Sequence, residues 1–329
     1  MTRFAALFLL SAGAAITMQA PAFAQTEIKI TTFSGATNVV TWVAIEKGFF
    51  EKEGLKATAE RTEGSKQQMA DLMAGKYQFA SSSFDNIVAY TEGEGDVKYP
   101  DYDVVAILGV HQGLTSVVSR PEITDYKQLK GKTAAVDSAN SGYATVLFQI
   151  IKNKAHLVQG KDYQLAVVGG TRQRVEALES NTAQVGIVSA PNDEQLEAKG
   201  YHRLGDVSQE LGAYQGSTFV VRRSYAKANP KVVEAFTRAI IAASDYVFAN
   251  KAGTIEVMKH NLKKMTDAEA ESTYKRLIGP GGLSKHAQIS IKGVETVLKL
   301  RSIYGEKKGP APDPKKYVDV SYYQKAMKK

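Results

Sequence analysis

Cysteine is absent from the 329-residue sequence. That single lack removes disulfides, thiolate nucleophiles and cysteine-type zinc sites together. Histidine is sparse: His111, His156, His202, His260 and His286 include no i,i+4 pair and no H-E-x-x-H, which argues against a metal centre. There is no G-x-S-x-G elbow and no G-x-x-x-x-G-K-[ST] phosphate loop, the signatures of an α/β-hydrolase and of a P-loop nucleotidase. Gly93, Glu94, Gly95 and Asp96 sit in a polar stretch with no strand before them, so a dinucleotide fingerprint is excluded. Tryptophan occurs once, at Trp42, and neither a fixed-period repeat nor a low-complexity block is present. No apolar run approaches the roughly 20 residues that span a bilayer. Neither an enzyme nor a metal or cofactor protein is expected, and no cofactor or metal ligand is assigned.

Acidic residues fall short of basic ones, 34 against 42, for a net charge of +8. The lysines are scattered, with small concentrations at Lys263-Lys264, Lys307-Lys308, Lys315-Lys316 and Lys328-Lys329. A nucleic-acid surface would cluster that charge and interleave aromatics, so nucleic acid is not an expected partner. What remains is a solvated surface with a mild bias toward anionic solutes. Residues 1–24 read as an export leader. Arg3 supplies the positive start, Phe4–Leu10 the short apolar core and Ala22-Phe23-Ala24 a small-x-small cleavage site. No cysteine follows the apolar run, so a lipoprotein anchor is not expected and the mature protein is expected in the periplasm. A chain of about 300 residues without disulfides must rely on its core, and at that length folding buries roughly 75% of the extended surface.

Short apolar strands, polar loops and helices alternate along the chain, which points to α/β layering. Glu27–Thr32, Tyr77–Ala80, Val104–Val110 and Leu114–Ser119 read as strands, followed by Thr133–Val136, Gln164–Val168, Val185–Val188 and Thr218–Val221. Beyond them the chain reads as helical over Lys231–Asn250, Thr254–Leu262, Asp267–Ile278 and Ile289–Ile303. Two lobes are expected: a first over residues 25–112 and 214–329, a second over residues 113–213. The chain would cross out near 110–118 and back near 212–220, making a hinged cleft.

One segment is worded with more specificity than any fold needs. Ala44–Leu55, A-I-E-K-G-F-F-E-K-E-G-L, joins a helix to a strand through two glycines at the points where the backbone turns. It resembles the K-G-F-F-E-K-E-G-L segment of periplasmic solute-binding proteins that serve ABC importers for aliphatic sulfonates, taurine, nitrate and thiamine precursors. Ala70–Ala80, Leu129–Val136, Gly169–Leu178 and Tyr317–Tyr322 resemble further segments of that family in the same order. The resemblance implies a two-lobe periplasmic binding protein fold of type 2, a small-molecule ligand, ABC permease subunits as partners and a monomer. It leaves the solute open between a small organic anion, such as a sulfonate, a carboxylate or nitrate, and a pyrimidine-type thiamine precursor. A periplasmic enzyme and a receptor-presenting sensor on the same fold are the readings of other classes.

In open α/β sheets ligands sit beyond the carboxyl ends of strands, where helix N-termini offer free N–H groups to anions. Four loops fit: Ser34–Asn38, Ser81–Asn86, Ser138–Tyr143 and Gly169–Arg172. The expected binding residues there are Ser34, Thr37, Asn38, Ser83, Asn86, Ser138, Asn140, Ser141, Gly142, Tyr143, Thr171 and Arg172. Gly142 would let a ligand approach the backbone, and Arg172 would clamp a carboxylate or sulfonate through two N–H groups. Trp42 is a candidate to wall the pocket, with core packing as its alternative, and His111 and Tyr214 are expected to face the pocket from the crossings. Arg174 is a competitor of Arg172 on another face. Asp85, were it to face the pocket, would favour a ligand with a cationic part.

Overall fold

The computed structural model describes residues 25–328; the expected leader lies outside them. Ten strands form two five-stranded sheets. They are β1 (Thr26–Thr32), β2 (Leu55–Arg61), β3 (Phe79–Ser83), β4 (Val104–His111), β5 (Thr115–Ser119), β6 (Thr133–Val136), β7 (Gln164–Val167), β8 (Val185–Ser189), β9 (His202–Asp206) and β10 (Ser217–Arg222). The first sheet has the order β2-β1-β3-β10-β4 and the second β7-β6-β8-β5-β9. In each, one strand runs against the other four: β10 lies antiparallel between β3 and β4, and β5 antiparallel between β8 and β9. Each reversed strand is the first to enter its sheet after the chain has come across from the other. The chain therefore passes between sheets twice, from His111 to Thr115 and from the helix Val207–Leu211 to Ser217.

The Ala44–Leu55 joint shows why the local sequence folds this way. The helix Val39–Glu46 ends before Gly48, whose φ of 71° is the left-handed conformation that glycine adopts without strain. Gly54, at φ 72°, repeats the device and releases the chain into β2, which pairs in parallel with β1. Phe50 between them is 1% exposed and packs into the first core. That core is organised by the long helix Pro230–Ala249. Its Phe236 stacks on Phe79 of β3 at 3.7 Å between ring centroids, and meets Phe50 and Phe219 at 5.6 and 5.5 Å.

The second core joins the two lobes. The helix Ile291–Tyr304 packs against both Phe84–Thr91, which follows β3, and Gly142–Ala155, which follows β6. Strand β9 and the short helices Asn192–Glu197, Val207–Leu211 and Arg223–Ala228 were not expected. His202–Asp206 is an edge strand of five half-buried, mostly polar residues, so it carries neither an apolar run nor an alternation to read. Among the described residues no helix is long and apolar enough to cross a membrane.

Truncating Phe236 to alanine removes the ring on which Phe50, Phe79 and Phe219 converge. A loss of about 3–5 kcal/mol is expected for such a buried aromatic, read as a drop in the midpoint of denaturant unfolding. An unchanged midpoint would show that this ring cluster does not organise the lobe.

Candidate functional site: the cleft between the sheets

The cleft follows from the strand order. The parallel strands of both sheets end at the same gap, and the loops that leave them enclose a cavity of about 80 Å³. A buried water needs roughly 10–15 Å³ on this scale, so the cavity has room for a small solute. All four expected loops reach it: Ser34 and Thr37 after β1, Ser83 and Asn86 after β3, Ser141, Gly142 and Tyr143 after β6, and Thr171 and Arg172 after β7. His111 at the end of β4 completes the set of expected residues on its wall.

Three helix N-termini face this space. The helices Phe84–Thr91 and Thr171–Glu179 begin at Ser83 and Gly170 with no side-chain cap; the Phe84 N–H donates to the Gly216 carbonyl at 2.9 Å, and the other first-turn N–H groups are left free. The third, Gly142–Ala155, is capped: Ser141 Oγ accepts from the Ala144 N–H at 3.2 Å and donates to Asp137. Ser83 is 7% exposed and its hydroxyl has no partner in the structure. A buried hydroxyl left unmatched costs about 1–3 kcal/mol, which an acceptor brought in by a ligand would recover.

His111 is 2% exposed, and burial lowers its pKa to about 4, so the ring is neutral at ordinary pH. Its Nδ1 accepts from the N–H groups of Gly113 at 3.2 Å and Leu114 at 3.3 Å. Those bonds assign the proton to Nε2, so the ring keeps one donor for the cavity. Tyr143 brings a phenol pushed up to about 12 by burial, which keeps it a neutral donor and acceptor.

The charged side chains divide into fixed and mobile. Arg174, 3% exposed, donates to the carbonyls of Ile187 and Gly169 and to Thr171 Oγ1 at 2.8, 3.0 and 3.1 Å, and lies over the Tyr143 ring. It pins the lobe-two loop. Arg172 is turned outward and pairs with Glu176 at 3.1 Å, and Arg61 pairs with Glu63 at 2.9 Å; all four are mostly exposed. Exposed pairs of this kind contribute roughly 0–1 kcal/mol each, so an incoming anion can displace their carboxylates cheaply.

Five expected residues lie elsewhere. Trp42 is partly buried and packs against the first core. Asn38 donates to the carbonyls of Phe33 and Gly35 at 2.5 and 3.1 Å, holding the β1 loop closed. Ser138 donates to Asp96 at 3.1 Å, and Asn140 bonds Glu94, Glu306 and Arg301, so both serve a contact between lobes. Tyr214 is 1% exposed within the second core. Gly142 does reach the cavity, but its missing Cβ has a second cause: a side-chain atom there would come within 2.3 Å of Asp85 Cβ across the lobes. Asp85 itself is fully buried against Arg301 and does not line the cavity, which removes the argument for a cationic ligand drawn from it. Missed on the wall were Arg61, Thr62, Glu63, Asp137, Ser189 and Ser217. Thr62 follows β2 and Ser189 ends β8, so the rule that selected the four loops covered them too.

A family model described as NMT1/THI5 like matches residues 37–253, well over half of the chain. The chain belongs to the NMT1/THI5-like family. The family match takes in three of the cleft's four main loops and the end of the β1 loop. The putative binding protein YtlA of Bacillus subtilis (strain 168) is 27% identical over 230 residues, 69% of this chain; the match spans 64% of that relative's length. Among solved structures, the periplasmic nitrate-binding protein NrtA of Synechocystis PCC 6803 superposes with a TM-score of 0.76 at 15% identity, over 92% of this chain and 89% of that one. The alkanesulfonate-binding protein SsuA of Xanthomonas axonopodis pv. citri, bound to MOPS, does so with a TM-score of 0.70 at 15% identity, over 89% and 96%. At these identities the likeness shows the fold: this NMT1/THI5-like chain has the type 2 periplasmic binding architecture, as its two sheets with one reversed strand each already indicate.

His111 sets a pH test. Its pKa falls from 6.5 to about 4 on folding, so the unfolded chain takes up the proton first as pH falls. The stability tied to the neutral ring is complete above pH 6.5 and is lost on the way down to about pH 4, to a total of about 3 kcal/mol. His111→Gln is expected to flatten that part of the stability–pH curve in denaturant titrations. An acid limb as steep as that of the unsubstituted chain would show that His111 is not buried neutral.

Proposed function

We propose that the chain is the solute-binding component of an ABC importer. It captures a small organic anion, a sulfonate, a carboxylate or nitrate, between its lobes and delivers it to the permease subunits in the membrane. The observation that carries this reading is the convergence of three helix N-termini, one from the first sheet and two from the second, on a single cavity of about 80 Å³. Free N–H groups and helix dipoles favour negative charge there. The family, and the binding proteins whose architecture it shares, support the same role. The expected leader supports export to the periplasm, and the monomer follows from the family's usual form.

The mechanism is closure on a hinge. A solute shifts an open–closed equilibrium only to the extent that it binds the two states differently, and contact with both lobes provides that difference. The cavity is a poor place for catalysis. Nδ1 of His111 is engaged by two backbone N–H groups, so the ring cannot take a proton there without breaking them. Ser83, the unpartnered hydroxyl, has no base bonded to it. The Asp137 carboxylate and the Tyr143 ring on the wall favour the second reading, a pyrimidine-type thiamine precursor whose amino group could meet the carboxylate.

Thermal-shift screening of sulfonates, nitrate, carboxylates and pyrimidines identifies the class, since a ligand at 100 times its Kd stabilises by about 2.7 kcal/mol. For the compound found, Asn86→Ala on the first lobe and Arg172→Ala on the second are each expected to weaken binding about tenfold in calorimetric titration, the scale of one lost charge-assisted or buried hydrogen bond. Loss on one lobe with no effect from the other would contradict capture between lobes.

A further inference from the structure

The cleft does not end at the inner cavity. Ser34, Arg61 and Arg172 also line a second, larger space of about 460 Å³ that opens toward solvent. Its outer wall comes from the loop between the helices Lys251–Asn261 and Asp267–Ile278, which brings Lys263 and Lys264. Four cations therefore line this vestibule, and no carboxylate is among its lining residues. Arg61 and Arg172 have partners, Glu63 and Glu176. Among the described residues Lys263 and Lys264 form no ion pair, and both are exposed. Leu262, Met265 and Pro191 give the same space an apolar side.

The inner cavity shares Arg61 and Arg172 with the vestibule but not the lysine pair. Its one deeply buried guanidinium, Arg174, is spent on two backbone carbonyls and Thr171, and Asp137 stands beside it. His111 and Tyr143 are neutral there. Arg61 and Arg172 stand where the two spaces meet, so an anion deeper in the cavity relies on helix N-termini, whereas one in the vestibule has these two and the lysine pair, four exposed cations with little desolvation to overcome.

Resting on the reading of the cleft as the solute site, we propose that the vestibule is a second binding compartment for the same solute. The ligand is a bipartite organic anion: one end offers uncharged hydrogen-bond acceptors, whose partial negative charge suits the helix N-termini of the inner cavity, and a carboxylate or sulfonate at the other end lies among Arg61, Arg172, Lys263 and Lys264. The apolar side of the vestibule takes the linking carbons. Both lobes contribute to the outer compartment, Arg61 and the lysine pair from one and Arg172 from the other, so the anionic end also draws the lobes together. The lysine pair steers the anion toward the cleft before it binds.

The test uses the full mature chain and a panel of linear ω-hydroxyalkane-1-sulfonates and ω-hydroxyalkanoates of increasing length, each with the uncharged α,ω-diol of the same length as its alcohol control. Calorimetric titrations at low and physiological salt compare it with Lys263→Glu/Lys264→Glu and with Lys263→Arg/Lys264→Arg. For the tightest anion of the panel, charge reversal is expected to weaken binding at least tenfold and to abolish most of its salt dependence, while the arginine pair retains both. Alcohol binding is expected to be unchanged throughout. Equal affinity of the anion for the unsubstituted and charge-reversed chains would overturn the vestibule. If that anion also loses affinity on Asn86→Ala, the cleft reading survives that loss of the vestibule. A panel in which no anion binds better than its alcohol overturns the proposal as well, and binding insensitive to Asn86→Ala and Arg172→Ala alike would sink the cleft reading beneath it.

Discussion

The arrangement around the cleft depends on Arg301. This guanidinium, on the helix Ile291–Tyr304, is 4% exposed and donates from Nε to Asp85 at 2.9 Å, from Nη1 to Glu94 at 3.2 Å and from Nη2 to the Asn140 carbonyl at 2.6 Å. Asp85 opens the helix after β3, Glu94 lies in the loop that follows that helix, and Asn140 lies in the lobe-two loop after β6. One side chain thus sets the position of two of the three helix N-termini that face the cavity. Burial pushes Asp85 upward, and the charge of Arg301 opposes that shift. Removing one member of such a buried set costs about 3–5 kcal/mol, because the others stay buried and unmatched. The tight approach of Gly142 to Asp85 belongs to the same contact: any side chain at that position would push the lobes apart where Arg301 holds them.

A second arginine does similar work on the other flank. Arg276, on the helix Asp267–Ile278, reaches the fully buried Asp193 at 2.6 Å and donates to Ser116 Oγ at 3.1 Å, both in the second lobe. Ser272 and Glu269 of the same helix add bonds to Glu194 and Gln195. The C-terminal helices therefore brace the cleft from both sides. The structure is the conformation in which both braces are engaged, and it leaves only the small inner cavity enclosed.

Much of this was legible in the sequence for definite reasons. Glycines at 48 and 54, with apolar residues between them, dictate a helix end and a turn wherever they occur, and the structure has both. The rule that ligands gather beyond strand ends picked four loops, and all four converge. The rule does not say which side chain of a loop turns inward. Asn38, Ser138 and Asn140 are polar, loop-borne and close to the right places, yet each is consumed by a backbone carbonyl or by the other lobe. Tyr214 and Trp42 were drawn toward the pocket by their rarity or their place at a crossing, while burial of apolar area carried them into the cores. Arg301 and Arg276 were invisible because their partners lie far off in sequence, 216 residues away in the case of Asp85.

The central claim is that a solute closes the two lobes on their hinge. The absence of cysteine allows a direct measurement, since Gln67→Cys and Glu179→Cys would carry the only two thiols, exposed and on opposite lobes. Spin labels at these positions report the distance across the cleft mouth by pulsed electron resonance, with and without a saturating anion from the screen. The account predicts a broad, longer distribution without solute that shortens and narrows when the solute is added. Identical distributions in the two samples would contradict it.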